Sequence, residues 1–292
     1  MARRYFSGGN ESMHARIAKW FVVAAAIVFA MLLPMLLSSQ QTAAKTAAAS
    51  APSQVYYMAV FNNPAQGKEA EYNRWYQQEH APNIVAAEGF VSGQRYVEAG
   101  SGVGPSQSAP RKYMVMYRIE TSDLLQTYAN MKATAPKPTN MPVDFASNFS
   151  VTFKQAGAEI KGHGSRSTGK GEMKTYLYCV FDTPLTGREA EFNQWYETRQ
   201  IPAIAATAGV VSAQRYLRSD VQIETAKPSA PNLIMYKIVT DDLNAVLTEI
   251  GERAGKVAPD PAHDASKSQS FTYETFGLPI IHQGALKGAS GK

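Results

Sequence analysis

The strongest constraint on the fold of this chain is an internal repeat. The segment from Phe61 to Tyr96 aligns without gaps with the segment from Phe181 to Tyr216, 120 residues further on, and half of the aligned positions are identical. The similarity continues downstream, where MVMYRIET from Met114 matches LIMYKIVT from Leu233. The period is too long for a solenoid, and only two copies are present. The sequence therefore indicates a module of about 110 residues that occurs twice.

Each copy contains the same order of predicted elements. Runs of aromatic and β-branched residues predict strands, and tyrosine and tryptophan residues spaced by three or four positions predict helices. The resulting order is β-α-β-β-α-β, which is the order of a ferredoxin-like module. Ser122 in the first copy, and Thr240 or Asp241 in the second, are the expected N-caps of the second helices.

Two such modules can cover a surface that one module leaves open. A four-stranded sheet with helices on one face exposes its other, apolar face to water. We therefore expect an α+β fold in which the two ferredoxin-like modules pack sheet to sheet. The predicted boundaries are a signal peptide or membrane anchor with an Ala-rich spacer (1–52), a first module (53–160), a flexible Gly- and Ser-rich linker (161–173), a second module (174–282) and a disordered tail (283–292).

The N-terminal segment has the order of a secretory signal. Residues Trp20 to Leu37 carry no charge, basic residues precede them, and small residues follow. This pattern predicts export to the periplasm or another location outside the cytoplasm. An uncleaved anchor is the alternative, because the apolar run approaches the ~20 residues that span a bilayer. Either Met1 or Met13 can be the start.

Composition argues against several kinds of site. The formal net charge is +5, but several basic residues lie before the apolar run or in the tail. No Arg/Lys stripe with interleaved aromatic residues is present, so no nucleic-acid partner is expected. Cys179 is the only cysteine, which excludes an intramolecular disulfide and a cysteine cluster. The histidines form no HxH, HxxxH or HExxH motif, so no metal site is predicted.

Three residues of the first module are candidates for acid/base chemistry. Tyr72, Tyr76 and His80 are spaced by four residues, which places them near one face of a helix. A neutral imidazole can move a proton near neutral pH, and a phenol can orient it or donate to an oxyanion. Alternatively, His80 caps the helix end and the tyrosines pack on the sheet. The second module has Phe192 and Gln200 instead, so we expect a single site in the first module.

The candidate substrate-binding residues lie mainly on strands. Adjacent residues on a strand point to opposite faces, so one member of each Arg-Tyr pair should face the barrel. An inward arginine could bind a carboxylate or phenolate, whereas an arginine paired with a neighbouring glutamate would be structural. For the aspartate, a cap between loop and strand is the alternative. The candidates are Arg95, Tyr96, Arg215, Tyr216, Tyr57 and Asp144.

The segment WYQQEHAPNI, followed by a glycine and a strand that ends in QRY, resembles the EthD-like branch of the dimeric α/β-barrel superfamily. The residues that carry the resemblance are Trp75, Tyr76, His80 and Pro82. The resemblance covers both modules and implies an intramolecular dimeric α/β barrel, in which two halves of one chain replace two subunits. It also implies small organic ligands, often aromatic, polyketide-derived or lactone-like. The wider group contains isomerases, cyclases, dehydratases, lyases, cofactor-free monooxygenases and haem enzymes, so it restricts the substrate more than the reaction.

The leading hypothesis is an exported, cofactor-independent enzyme that transfers protons on a small aromatic or related hydrophobic molecule. It would be a lyase, isomerase, cyclase or dehydratase, with His80 as the acid/base and tyrosines or Arg95 stabilising an oxyanion. One alternative is a haem-binding or cofactor-free monooxygenase member. Another is a non-catalytic periplasmic binding or scaffold protein, which Gln200 at the position of His80 keeps open. The expected partner is a small aromatic or hydrophobic molecule, and membrane contact is expected only through the N-terminal segment if it is not cleaved. The chain is expected to form an intramolecular pseudo-dimer, and a higher oligomer is left open.

Overall fold

The computed structural model describes residues 52–100, 107, 109–136, 140–223 and 230–283. The predicted signal segment and spacer up to residue 51, and the predicted tail from residue 284, lie outside these residues. No helix within the described ranges is long and apolar enough to cross a membrane. The strands are β1 (Gln54–Asn62), β2 (Phe90–Glu98), β3 (Tyr113–Thr121), β4 (Phe149–Lys161), β5 (Lys174–Asp182), β6 (Val210–Arg218), β7 (Asn232–Thr240) and β8 (Gln269–Ile281). The helices are α1 (Glu69–Trp75), α2 (Ala81–Val85), α3 (Leu124–Thr134), α4 (Glu189–Trp195), α5 (Ile201–Ala205) and α6 (Leu243–Lys256).

The eight strands form one closed antiparallel barrel in the order β1-β3-β2-β8-β5-β7-β6-β4. Within each module the order of elements is β-α-β-β-α-β, as predicted. The modules meet at two ladders, β2 with β8 and β4 with β6. The predicted α+β fold, an intramolecular dimeric α/β barrel of two ferredoxin-like modules, is therefore confirmed.

The fourth strand of each module is longer than its apolar pattern indicates. Strands β4 and β8 are each 13 residues long, and their last residues pair with the other module, for example Ile160 with Ala213. The ladder shifts register between Ala156 and Ile160. Gly157 and Gly277 have φ values of 69° and 72° where the two strands bend, a conformation that favours glycine. Each strand pairs with the other module on both sides of its glycine.

Side chains pack in three separate cores. Inward-facing residues of both modules fill the barrel, and Cys179 packs among them as expected. A second core lies between the first module's sheet and its helices, around Tyr72 and Tyr76. A third occupies the same position in the second module, around Phe192 and Tyr196. A ligand site can therefore lie at either of the two helix–sheet interfaces or inside the barrel.

The helix that follows the first strand of each module has an unusual middle turn. A π-helical turn at Tyr76–His80 joins α1 to α2, and an equivalent turn at Tyr196–Gln200 joins α4 to α5. Single π-helical turns often occur at functional sites. Pro82 follows in the first turn of α2, where a missing N–H leaves no broken hydrogen bond.

The N-caps of the second helices differ from the predicted residues. Asp123 caps α3 and accepts a hydrogen bond from the Gln126 amide at 2.9 Å. Asp242 caps α6 and accepts one from the Ala245 amide at 3.0 Å. The predicted caps, Ser122 and Thr240 or Asp241, are therefore wrong by one or two positions. An aspartate at the next position provides the same capping chemistry.

The segment 161–173, predicted as a flexible linker, is bound to the second module. The Gly162 amide donates to the Val211 carbonyl at 3.0 Å. A Cβ atom on Gly162 would lie 2.2 Å from the Val210 carbonyl oxygen, so glycine permits a close backbone approach here. Asp241 accepts a hydrogen bond from the Thr168 amide at 2.8 Å. Glycine and serine residues in this segment therefore allow tight contact rather than free movement.

Candidate functional site

A buried carboxylate ends strand β5. The side chain of Asp182 lies at the interface of the sheet and helices and is 1% exposed. It accepts hydrogen bonds from His263, at 2.8 Å between Nε2 and Oδ1, and from the hydroxyls of Ser268 and Tyr196. Burial opposes ionisation of Asp182, but the three hydrogen bonds outweigh it and lower the pKa of this carboxyl. Asp182 is therefore an anion at neutral pH.

His263 is held in the loop that precedes β8. Its backbone pairs with that of Pro184, and its ring lies 5.9 Å from the Trp195 ring in a stacked arrangement. An ionised carboxylate can only accept, so the Nε2 atom of His263 carries a proton and donates it to Asp182. In the neutral ring Nδ1 is then the free acceptor, and no described residue bonds to it. The hydrogen bond to Asp182 raises the pKa of His263, although partial burial opposes it.

The His263–Asp182 pair lines a cavity of about 270 Å³ between the sheet and the helices of the second module. Its wall is largely aromatic and aliphatic, and includes Tyr178, Val180, Trp195, Ile204 and Ile250. Gln200 also lines the cavity, and its Oε1 atom is buried with no hydrogen-bond partner among the described residues. An unsatisfied buried acceptor costs about 1–3 kcal/mol.

This arrangement is suited to proton transfer. A histidine whose tautomer and orientation are fixed by a buried carboxylate can take a proton at its other nitrogen and return it later in the reaction. A cavity of 270 Å³ lies just below the usual range of about 300–1,000 Å³ for drug-sized ligands, and so suits a molecule of one or two rings.

The cavity beside His263 does not fit a haem. The 270 Å³ cavity beside His263 is too small for a macrocycle. The His80 ring is enclosed by Trp75, stacked at 4.5 Å, and Tyr76, at 4.8 Å between ring centroids. In the described part of the chain, no three His, Cys, Asp or Glu side chains are grouped to hold a metal ion.

The first module carries different residues at the equivalent positions. Asn62 ends β1 where Asp182 ends β5, and Val143 pairs with Pro64 as His263 pairs with Pro184. Asn62 accepts a hydrogen bond from the Tyr72 hydroxyl and donates one to the Tyr76 oxygen at 3.3 Å. The first module therefore has a neutral network where the second has an ionised pair.

The three predicted catalytic residues are brought together, as their spacing indicates. The ring centroids of Tyr72 and Tyr76 are 5.3 Å apart, and those of Tyr76 and His80 are 4.8 Å apart. Both tyrosines are almost fully buried in the core between sheet and helix. Burial lowers the pKa of His80 to about 4, and no described residue hydrogen-bonds to its ring. The catalytic role of these residues stays a prediction.

Both predicted arginines face the helices, and their neighbouring tyrosines face the barrel. Arg95 is 1% exposed and donates to Asn73 at its carbonyl (3.1 Å) and its side-chain oxygen (2.6 Å). Arg215 forms an ion pair with Glu197 at 2.8 Å. These arginine contacts hold the helices against the sheet. Tyr96 and Tyr216 pack with the barrel core, where burial raises the pKa of each phenol.

The two remaining candidates lie apart from His80. Tyr57 contacts Tyr216 inside the barrel, with ring centroids 5.0 Å apart. Asp144 lies in the loop before β4, where its carboxylate accepts a hydrogen bond from the Ala146 amide at 3.1 Å. Asp144 therefore stabilises a turn, as in the alternative explanation from the sequence. The structure does not bring the nine predicted residues into one site.

The residues that the prediction left out are Asp182 and His263. In the aligned repeats the second module has Gln200 at the position of His80. The opposite exchanges, Asn62 to Asp182 and the gain of His263, are visible in the same comparison. A charged residue that ends a run of buried strand residues is the signal that could have found the site.

The fold and the site define an intramolecular α/β barrel with a small cavity beside an ionised Asp182 that is hydrogen-bonded to His263. No family model matches the sequence, and no curated protein is similar to it. Among solved structures it is similar to an anthrone oxidase-like protein, at 10% identity over 80% of this chain and 94% of that chain, with a TM-score of 0.47. It is also similar to chlorite dismutase from Candidatus Nitrospira defluvii, at 9% identity over 76% of this chain and 91% of that chain, with a TM-score of 0.44. These weak similarities say nothing about the chemistry of this chain.

Proposed function

We propose that this chain is a cofactor-independent acid/base enzyme whose active site is the cavity beside His263. The observation that carries the proposal is the 2.8 Å contact between the buried Asp182 carboxylate and His263 Nε2 in the cavity wall. This contact leaves Nδ1 as the base, and the nearby negative charge stabilises the imidazolium that forms when Nδ1 takes a proton.

The cavity restricts the substrate to a small, mostly apolar molecule. Its size suits one or two rings, and its wall is largely aromatic and aliphatic. We infer a small aromatic or alicyclic carbonyl compound from which His263 removes a proton on the carbon next to the carbonyl group.

Several reaction types begin with this step. An isomerase returns the proton to another atom, a lyase or dehydratase expels a neighbouring group, and a cofactor-free monooxygenase combines the deprotonated substrate with O₂. Export, predicted from the N-terminal segment, favours chemistry without nicotinamide or ATP. The sequence-based alternative places the base at His80, and it can be tested against His263 in one experiment.

Deuterium uptake tests the proposal without knowledge of the natural substrate. The enzyme is incubated in D₂O with a panel of one- and two-ring ketones and lactones, and exchange next to the carbonyl is followed by NMR. We expect exchange with the wild-type protein. His263→Val, which copies Val143 of the first module, should lower the rate by about 100- to 10,000-fold. An oxygen electrode in the same samples detects an oxygenase.

His80→Gln, which copies Gln200 of the second module, is the matched control and should keep wild-type exchange. Thermal unfolding of both variants establishes that they are folded. Loss of exchange in His80→Gln with full exchange in His263→Val would place the site in the first module. Absence of exchange with every compound in the panel would favour a binding protein.

A further inference from the structure

A second and larger cavity opens at the end of the barrel where β1 and β5 finish. It has a volume of about 600 Å³, and residues of both modules line it. Phe181 faces this cavity from β5, whereas the next residue, Asp182, lines the cavity beside His263. Because neighbouring residues on a strand point to opposite faces, the two cavities lie on opposite sides of the sheet. The barrel-end cavity is therefore distinct from the proposed active site, although Gln269, the first residue of β8, borders both.

Four phenylalanines form the floor and walls of the barrel-end cavity. Two of them stack with ring centroids 4.7 Å apart, and another two lie 5.8 Å apart. Flat rings pack well against such surfaces, in offset or edge-to-face arrangements. The two pairs are Phe61 with Phe149 and Phe181 with Phe271.

One cation at the rim has no carboxylate partner among the described residues. The guanidinium of Arg111 lies 5.4 Å from the centre of the Phe149 ring, and main-chain carbonyls of Ser147 and Pro110 accept hydrogen bonds from it. No described carboxylate forms an ion pair with Arg111, so its charge and its remaining N–H groups are free for a ligand. The other cation at the rim, Lys267, is paired with Asp264 at 2.9 Å.

The rim is not symmetric between the two modules. Asn62 pairs with Tyr113 in the first module, and Asp182 pairs with Asn232 at the equivalent position of the second. Arg111 and Ala230 each lie two residues before the paired residue, so they occupy equivalent positions. Both residues line the cavity, but only one carries a charge. A ligand would therefore bind in one orientation, with its anionic end at the first module.

We propose that the barrel-end cavity binds an aromatic carboxylate. The ring system lies among the four phenylalanines, and the carboxylate accepts hydrogen bonds from Arg111. A guanidinium matches the two oxygens of a carboxylate in geometry as well as charge. The volume of 600 Å³ falls within the usual range for small-molecule sites.

Binding of 2-naphthoate, compared with that of uncharged 2-naphthamide, tests this site by titration calorimetry. We expect one naphthoate per chain. Arg111→Ala, which copies Ala230, should weaken naphthoate binding by about 10- to 100-fold, as expected for a lost charge-assisted hydrogen bond. The same change should leave naphthamide binding unaltered, which also shows that the cavity is intact. Lys267→Gln, the matched control at the same rim, should have little effect.

Three results would overturn the proposal. They are no naphthoate binding to the wild-type protein, equal losses in Arg111→Ala and Lys267→Gln, and a loss in His263→Val that Arg111→Ala does not share. The last result would place naphthoate in the cavity beside His263. The proposed acid/base function does not depend on any of these outcomes, because it is read from deuterium exchange.

Discussion

At the scale of single residues, two exchanges between the modules decide where charge can lie. Asn62 both donates and accepts hydrogen bonds, so the first module forms its network from neutral groups. Asp182 only accepts, so it requires donors, and His263 is one of them. A buried carboxylate without donors would be strongly destabilising. The hydrogen bond from His263 helps to stabilise the buried carboxylate, and it also fixes the His263 ring in position for proton transfer.

The ionised pair should make stability depend on pH. The pKa of His263 is raised from 6.5, so its contribution is complete below 6.5 and is lost as pH rises through the raised value. The pKa of Asp182 is lowered from 3.8, so its contribution is present above 3.8 and is lost as pH falls through the lowered value. Both contributions to stability are fully present between pH 3.8 and pH 6.5.

We therefore expect His263→Val to lower the free energy of unfolding by about 1–3 kcal/mol near pH 5.5 and by less near pH 9. Urea unfolding at both pH values measures the difference. His80→Gln is the control, because no described residue hydrogen-bonds to the His80 ring. An equal loss of stability at both pH values for His263→Val would show that the charge on His263 contributes nothing and would contradict its raised pKa.

At the scale of elements, the bent fourth strands join the two modules. Strand β8 passes Gly277 and continues to pair with β2 of the first module. A Cβ atom on Gly277 would lie 2.5 Å from the Gln77 Oε1 atom, whereas one on Gly157, at the equivalent bend of β4, would meet nothing within 4 Å. Both glycines have positive φ, at 72° and 69°. The two bends therefore share a backbone conformation but differ in the space around it.

Alanine substitutions should separate conformation from contact. Gly157→Ala should cost about 1–2 kcal/mol, because only the left-handed backbone is strained. Gly277→Ala should cost more, since Gln77 must also move and loses its contact with the Leu278 carbonyl, now 2.9 Å long. Thermal unfolding of the two variants gives the comparison. Equal losses of stability in the two variants would mean that the position of Gln77 against β8 is not fixed.

At the scale of the whole molecule, the repeat in the sequence predicts most of the architecture. Matching aromatic and β-branched runs locate all eight strands, and an uncovered sheet face predicts that the modules close on each other. The extensions of β4 and β8 were not predicted, because their pairing partners are in the other module. The local pattern of apolar residues cannot show that a polar strand end pairs with a strand of the other module.

The site could be predicted only in part, for a related reason. The helical spacing of Tyr72, Tyr76 and His80 is local, and these residues do lie together. The pairing of Asp182 with His263 joins the end of one strand to a loop 81 positions later. Only the fold brings these two residues together, and only their burial shows that the carboxylate needs a partner.

The most direct test of the second-module site is the pKa of each histidine, measured by NMR titration and assigned with His263→Val and His80→Gln. We predict that His263 titrates above 6.5 and that His80 titrates at about 4. Asp182→Asn, which copies Asn62, should lower the pKa of His263 and leave that of His80 unchanged. A His263 that titrates at or below 6.5 and does not respond to Asp182→Asn would contradict the ionised pair on which the proposed function depends.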